Sequence, residues 1–350
     1  MPKVLRLALA AVSFVLLANF SLAEDKKAKP LTEKEIAEGW ISLFDGETTF
    51  GWKVEGESKI ENGEWIVGGE KETKITSIAP FPPGEVMSKY NGLGAIPKGS
   101  NGPRFGNDGD YDGFSVALKN GYSTVTVIDA GAKKLVIKIP AKEPVRFSQI
   151  AFRPSKLEPL FNGKDLSGWK LNKADPKREL STFEVTKAGE LRVANGPGDL
   201  FTEKQFADFV LQFECKTNGK ALNSGIFFRC IPNEYQNGYE AQIQNLYLND
   251  DRTKPADFGT GAIYRRVPAR KVMANDNEWF TMTVIARGPH ISTWVNGYQA
   301  VDWVDDRKAD DNPRKGLRTA AGHFSIQGHD KTTDILFRNL RGVEMKTEGK

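Results

Sequence analysis

The chain has little of what most catalytic and metal-binding signatures require. It contains two cysteines and three histidines in 350 residues. A Cys-rich zinc site is therefore excluded. There is no GxSxG elbow, no HExxH, no Walker A loop and no GxGxxG after a strand. No long segment shows a helical period, and past residue 23 no apolar run approaches the length of a membrane span. Charge of one sign is also missing. Removing Lys3 and Arg6 from the 49 basic residues leaves 47 against 45 acidic, a formal charge of +2. That balance, with no basic stripe interleaved by aromatics, excludes nucleic acid as the expected partner.

What is present begins with an export signal. Lys3 and Arg6 precede the apolar stretch Leu7–Phe20, and Ser21-Leu22-Ala23 offers a cleavage site before Glu24. Residues 1–23 read as a signal peptide, so the protein is expected to be secreted or periplasmic, with no membrane span after cleavage. Residues 24–37 read as a charged linker ending in a short helix, with Thr32 and Glu35 in capping-box spacing. The mature chain of roughly 325 residues is long enough for about two domains.

From Trp40 onward, short alternating apolar runs are separated by Gly, Asn, Asp and Pro, the pattern of an all-β sandwich. The pattern contains an internal repeat. LFDGETTFGWK at Leu43–Lys53 returns as LFNGKDLSGWK at Leu160–Lys170, and both copies end on similar strands, Ile150–Arg153 and Ile335–Arg338. The expectation is two antiparallel β-sandwich domains in tandem, 38–155 and 156–347. The first is shorter and degenerate, with Pro/Gly-rich stretches where the second has polar strands.

Those polar strands carry the chemistry. Alternation along Gly225–Cys230 and Tyr239–Gln244 sets Arg229, Glu240 and Gln242 on one face, and the run Phe209–Lys216 adds Gln212 and Glu214 by the same rule. A face so polar is a poor core. It suits the floor of a wet site, with a solvated outer face as the plain alternative. Glu214, Glu240 and Arg229 could act as acid and base, or the carboxylates could bind a divalent metal. Asn223 could bind a sugar hydroxyl. Tyr264 could stack on a sugar, and Arg265, Arg266 and Arg270 could bind an anion or polarise a carbonyl. His329, flanked by Gln327 and Asp330, is placed as a base or metal ligand. Cys215 and Cys230 fall on apolar faces of strands expected to be neighbours. One disulfide and two buried thiols both remain open.

LFNGKDLSGW, NSGIFFR, GYEAQI, GTGAIY, NEW, WVNG and GHFSIQGHD…FRN, in that order over about 158–345, resemble the 3-keto-disaccharide hydrolase family. The resemblance implies a concanavalin-like or jelly-roll sandwich and a carbohydrate ligand, a 3-keto-glycoside. It implies cleavage by removal of the carbon-2 proton, β-elimination of the group on carbon 1, and addition of water. Carried over by motif, Glu240 and His329 are the expected base or metal ligands. Gln242, Glu214 and Arg229 complete the polar floor, and Asn223, Tyr264, Gln327 and Arg265 contact substrate. One departure bears on the metal. Many members have an Asp shortly after GYExQI, where this chain has Gln244-Asn245-Leu246 and then an insert bearing Asp250, Asp251 and Asp257. A single divalent ion is therefore an open expectation. The alternative function is a non-catalytic carbohydrate-binding or adhesion protein on the same sandwich. A laminarinase-type glycosidase is weaker, because no ExDxxE-like run occurs.

Overall fold

The structure is a computed structural model that describes residues 31–92, 104–107, 114–115, 122–128 and 133–345. The expected signal peptide, 1–23, and residues 24–30 of the linker lie outside the described residues, as does most of the glycine-rich stretch 92–113. Strands make up nearly all of the regular structure in the described chain, joined by turns and long loops. The one α-helix among the described residues, Glu33–Ala37, starts from a capping box in which Thr32 and Glu35 bond each other's backbone amides. No described helix is long and apolar enough to cross a membrane.

Among the described residues four antiparallel sheets form two pairs, and none takes strands from both halves of the chain. The first half contributes a six-stranded and a five-stranded sheet. In the second half an eight-stranded sheet is centred on Asp334–Glu344, Phe209–Thr217 and Phe280–Arg287. Facing it is a five-stranded sheet in the order Trp169–Leu171, Gly198–Phe206, Gly322–Gly328, Ser224–Cys230, Tyr239–Ile243. Alternation decides what lies between these two sheets. Phe209, Leu211, Phe213 and Cys215 point inward from one, and Ile226, Phe228, Phe324, Ile326, Tyr239 and Ala241 from the other, into one buried cluster.

The LFxG…GWK segments do the same local work in each half. Trp52 Nε1 donates to Leu43 O at 2.5 Å, and Trp169 Nε1 donates to Leu160 O at 2.7 Å. The halves are not beads on a string. Val210, Ile285, Trp294 and Met345 leave the second half's core and pack into the first half's cluster with Ile41, Phe81 and Phe152. Trp294 Nε1 donates to Ser42 O at 3.0 Å, and Arg270 pairs with Asp45 at 2.9 Å. The back of the eight-stranded sheet is thus covered by the first sandwich. The front of the five-stranded sheet carries the cleft described below.

Two sequence expectations need correction. Phe209–Thr217 does not belong to the sheet of Tyr239–Ile243, so Gln212 and Glu214 do not join a polar floor with Glu240. Alternation fixes which face a residue takes, but not which sheet its strand joins. Gln212 bonds Gly39 O and Thr283, and Glu214 pairs with Arg338 and Asn339 on the back of the eight-stranded sheet. For the same reason Cys215 and Cys230 are not neighbours. They lie in different sheets, and both are free, buried thiols.

Candidate functional site

The outward positions of the five-stranded sheet form a continuous polar floor. Asp199 pairs in register with Gln327, and Phe227 pairs with both Ser325 and Glu240. Gly225 pairs with Gln242. Over this floor a cleft of about 580 Å³ opens, lined among others by Asn223, Phe227, Glu240, Tyr264, Arg265, Gln327 and His329. Six of the residues expected from the sequence therefore share one cleft. Gln242 lies directly beneath, fully buried against Glu240.

Local chain geometry brings them together. Tyr239–Ile243 is the edge strand of its sheet, and the Gly259–Tyr264 segment runs along its free side. Gly261 N donates to Gln242 O at 2.9 Å and Tyr264 N to Glu240 O at 3.0 Å. This added segment covers an otherwise open edge and places Tyr264 and Arg265 beside Glu240. Gly225 leaves space for the carboxyl. A Cβ there would stand 2.6 Å from Glu240 Oε1 and 2.8 Å from its Cγ. Gln327 Nε2 donates to Gln236 Oε1 at 2.9 Å, while Gln327 Oε1 has no partner among the described residues although it is buried. An unpaired buried acceptor at the cleft invites a hydroxyl donor.

Glu240 is the unusual acid. Burial pushes its pKa up to about 8, with Asp257 adding to the rise and Arg314 and Arg265 opposing it. It is therefore mostly protonated at neutral pH. Gln242 offers it either of two partners. With its nitrogen toward Glu240, the amide donates to Oε1 at 3.0 Å and to Ser224 O at 3.3 Å. With its nitrogen toward Asp257, it donates to Asp257 O at 3.3 Å and turns its oxygen to Glu240, where a carboxylic O–H can donate.

His329 has the complementary arrangement. Its Nδ1 lies 2.8 Å from Asp330 Oδ2, and Asp330 is held down at about 2, first by Thr332 and then by His329. An ionised carboxylate at Nδ1 favours the tautomer whose Nε2 lone pair is free.

Arg229 is not part of this site. Its strand slips register against Gly322–Gly328 between Phe227 and Cys230, and Arg229 itself takes φ +53°. The bulge turns the guanidinium away from the cleft. There it is fully buried, donating to Ala207 O, Gly288 O and Arg318 O and pairing with Asp208 at 3.2 Å. Its role is structural.

The sequence reading missed other residues. Asp199 accepts from Ser325 at 2.8 Å on the floor, and burial raises its pKa. Its signal was the alternation Gly198-Asp199-Leu200. Tyr235, Gln236 and Arg314 come from loops with no periodicity to read. Arg314 Nε donates to Gln236 O at 3.1 Å, and its guanidinium stands 6.0 Å from the centre of the Phe227 ring.

The donor set does not fit a resident divalent metal. Among the described residues no three His, Cys, Asp or Glu side chains gather to hold an ion. Glu240 favours its proton, and His329 has only the adjacent Asp330 as an acidic partner. Asp257, from the insert, reaches Asn223 at 3.2 Å and so stands near the cleft, but it completes no ligand set.

A family model described as a 3-keto-alpha-glucoside-1,2-lyase-like domain matches residues 156–341. No protein of curated function matches. Among solved structures, a candidate glycosyl hydrolase from Parabacteroides distasonis ATCC 8503 is similar at 21% identity and TM-score 0.43, covering 54% of this chain and 93% of that one. A second from the same organism gives 24% identity and TM-score 0.42, covering 54% of this chain and all of that one. A carbohydrate-binding module from Bacillus subtilis gives 15% identity and TM-score 0.34, covering 49% and 93%.

Proposed function

We propose, on the premise that this chain belongs to the 3-keto-alpha-glucoside-1,2-lyase-like family, that it is an exported carbohydrate-active enzyme cleaving 3-keto-glycosides by elimination and hydration. The observation that carries this reading is the pairing of opposites in one cleft. A carboxylic acid that keeps its proton near neutral pH faces the same space as a histidine whose other nitrogen is held by an ionised carboxylate. Elimination across carbons 1 and 2 needs that pair, one group to take a proton and one to give one.

A ketone at carbon 3 acidifies the hydrogen on carbon 2. His329 Nε2 takes that proton, and the electron pair moves into the carbon-2–carbon-3 bond as an enolate. The guanidinium of Arg314 stabilises the enolate oxygen, since preorganised positive charge acts where negative charge develops. The enolate then collapses. The ketone re-forms, a double bond forms between carbons 1 and 2, and the bond from carbon 1 to the leaving oxygen breaks. Glu240 gives its proton to that oxygen. In the second half the ionised Glu240 takes a proton from water as it adds to carbon 1, and the protonated His329 returns a proton to carbon 2. The sum is hydrolysis with both residues restored. Gln327 and Asn223 would receive sugar hydroxyls, and Tyr264 would border the ring. This route differs from ordinary glycoside hydrolysis, in which two carboxylates flank an oxocarbenium ion.

The test is mass-spectrometric assay of the protein on 3-keto-glucosides and 3-keto-trehalose. Release of the aglycone or second sugar, lost in His329→Asn and Glu240→Gln, is expected. If every keto-sugar returns intact while sugars still bind, the protein is a carbohydrate-binding module and the enzymatic reading is wrong.

A further inference from the structure

The cleft holds more positive charge than the elimination chemistry uses. Three arginines on its wall each stand against an aromatic ring. Arg178 is 4.2 Å from the Tyr235 ring centre, Arg265 is 5.2 Å from Tyr264, and Arg314 is 6.0 Å from Phe227. Lys177 lines the same cleft. Only Arg178 has a carboxylate, Asp175, at 3.4 Å. Among the described residues Lys177, Arg265 and Arg314 make no ion pair.

The arrangement is built, not incidental. Arg266 ties the two loops together, donating from Nη1 to Arg265 O at 2.9 Å and from Nη2 to Arg314 O at 2.7 Å. One guanidinium thus links the backbones that carry two others. Gln236 O accepts from Nε and Nη2 of Arg314, so Nη1 is left to donate elsewhere. Gathering these charges is unfavourable in itself. Arg266 holds its proton less firmly than usual, first through burial and then through repulsion from Arg307, against opposition from Asp305 and Tyr239 and with a smaller addition from Arg314. The carboxylates near the cleft do not offset the charge on Arg265 and Arg314. Asp175 is engaged by Arg178 and the Lys177 amide, Asp257 accepts from Asn223, and Glu240 favours its neutral form. A neutral sugar would leave this charge without a partner, whereas guanidinium forks match planar or tetrahedral oxyanions.

We propose that the substrate is an anionic glycan, whose carboxylate or sulfate substituent is received by Arg265 next to the reacting sugar. Only the identity of the reacting sugar rests on the elimination reading; the anionic preference concerns binding. A uronic acid and a sulfate ester supply the same chemistry, so both are probed.

The experiment uses the full chain and two readouts. Calorimetry compares unoxidised disaccharides that differ in one group: glucose, glucuronate or glucose 6-sulfate at the non-reducing end. The 3-keto forms of the same three are then assayed for kcat/KM. Binding of at least one acidic disaccharide should be tenfold or more tighter than of the neutral one. The preference should shrink as salt rises from about 20 to 200 mM and fall toward unity in Arg265→Gln. Which acidic arm binds identifies the anion. Equal binding of all three, or no binding of either acidic ligand, overturns the proposal. Turnover of neutral 3-keto sugar without acidic preference also overturns it and leaves the elimination reading standing. Acidic preference in binding with no turnover of any 3-keto sugar does the reverse.

Discussion

Replacing Glu240 with Gln should make the protein more stable and less active, and the stability effect should depend on pH. An unfolded Glu ionises near 4.5, whereas the folded Glu240 holds its proton to about 8. That gap corresponds to roughly 5 kcal/mol of native preference for the neutral form. The sign follows from linkage. Below pH 4.5 both states carry the proton and Glu240 has no linkage effect. Between 4.5 and about 8 the unfolded chain has released its proton and the native state has not, so stability falls as pH rises. Above about 8 the loss is complete. Gln is nearly isosteric and never ionises, so it escapes this loss. Its amide can donate to Gln242 Oε1, the atom placed to accept from the protonated Glu240. At pH 8 the variant should therefore gain on the order of 2–5 kcal/mol, the lower figure allowing for relaxation around a buried charge. At pH 4.5 it should match the parent.

Urea unfolding of parent and Glu240→Gln at pH 4.5, 6.5 and 8 measures this, with the midpoint read at constant slope. Turnover on 3-keto-glucosides should fall by about 10²-fold or more, the scale of a lost general acid. A variant equal to or less stable than the parent at pH 8 would refute the reasoning. It would mean that Glu240 is ionised in the native state, and that it cannot be the acid.

Gly225→Ala should abolish turnover while the fold survives, because its Cβ would meet Glu240 Oε1 at 2.6 Å. Overpacking of this kind costs about 1–3 kcal/mol, and circular dichroism with the 3-keto assay separates the two effects. Arg229→Leu should lower thermal stability without a direct effect on the sugar site. It strands Asp208 and three carbonyl acceptors, and breaking such buried pairs costs roughly 3–5 kcal/mol. Unchanged stability would restore Arg229 as a functional candidate. Exhaustive treatment with EDTA should leave turnover unaltered, since no three acidic, His or Cys side chains converge among the described residues. Loss of activity that returns with added metal would disprove that.

Much of the floor was legible because period-two alternation is a local property. Glu240 and Gln242 took the predicted face, and Gln327 and His329 came from a strand end. Alternation failed where something non-local intervened. A bulge after Phe227 reversed Arg229, and it left no mark in a run that reads NSGIFFR. Glu214 had the right parity in the wrong sheet, because pairing with Phe280–Arg287 and Asp334–Glu344 is decided by residues far away in sequence. Tyr235, Gln236 and Arg314 lie in loops, where no period exists and position is set by single contacts such as Arg314 to Gln236 O.

The inequality of the two halves has a physical logic. Each sandwich has two outer faces, and only one of those on the second half is available for a site. The other carries Val210, Ile285 and Trp294, apolar groups that water would not tolerate as one patch. The first half covers them, which suits a supporting role. The consequence is directional. A fragment spanning 156–345 keeps every cleft residue named above but bares the back of its eight-stranded sheet. It should express poorly or self-associate, and substituting Val210, Ile285 and Trp294 with polar residues in that fragment should restore a soluble, sugar-binding form. If the unmodified fragment is monomeric and as stable as the full chain, by gel filtration and urea unfolding, then covering this face is not what the first half is needed for.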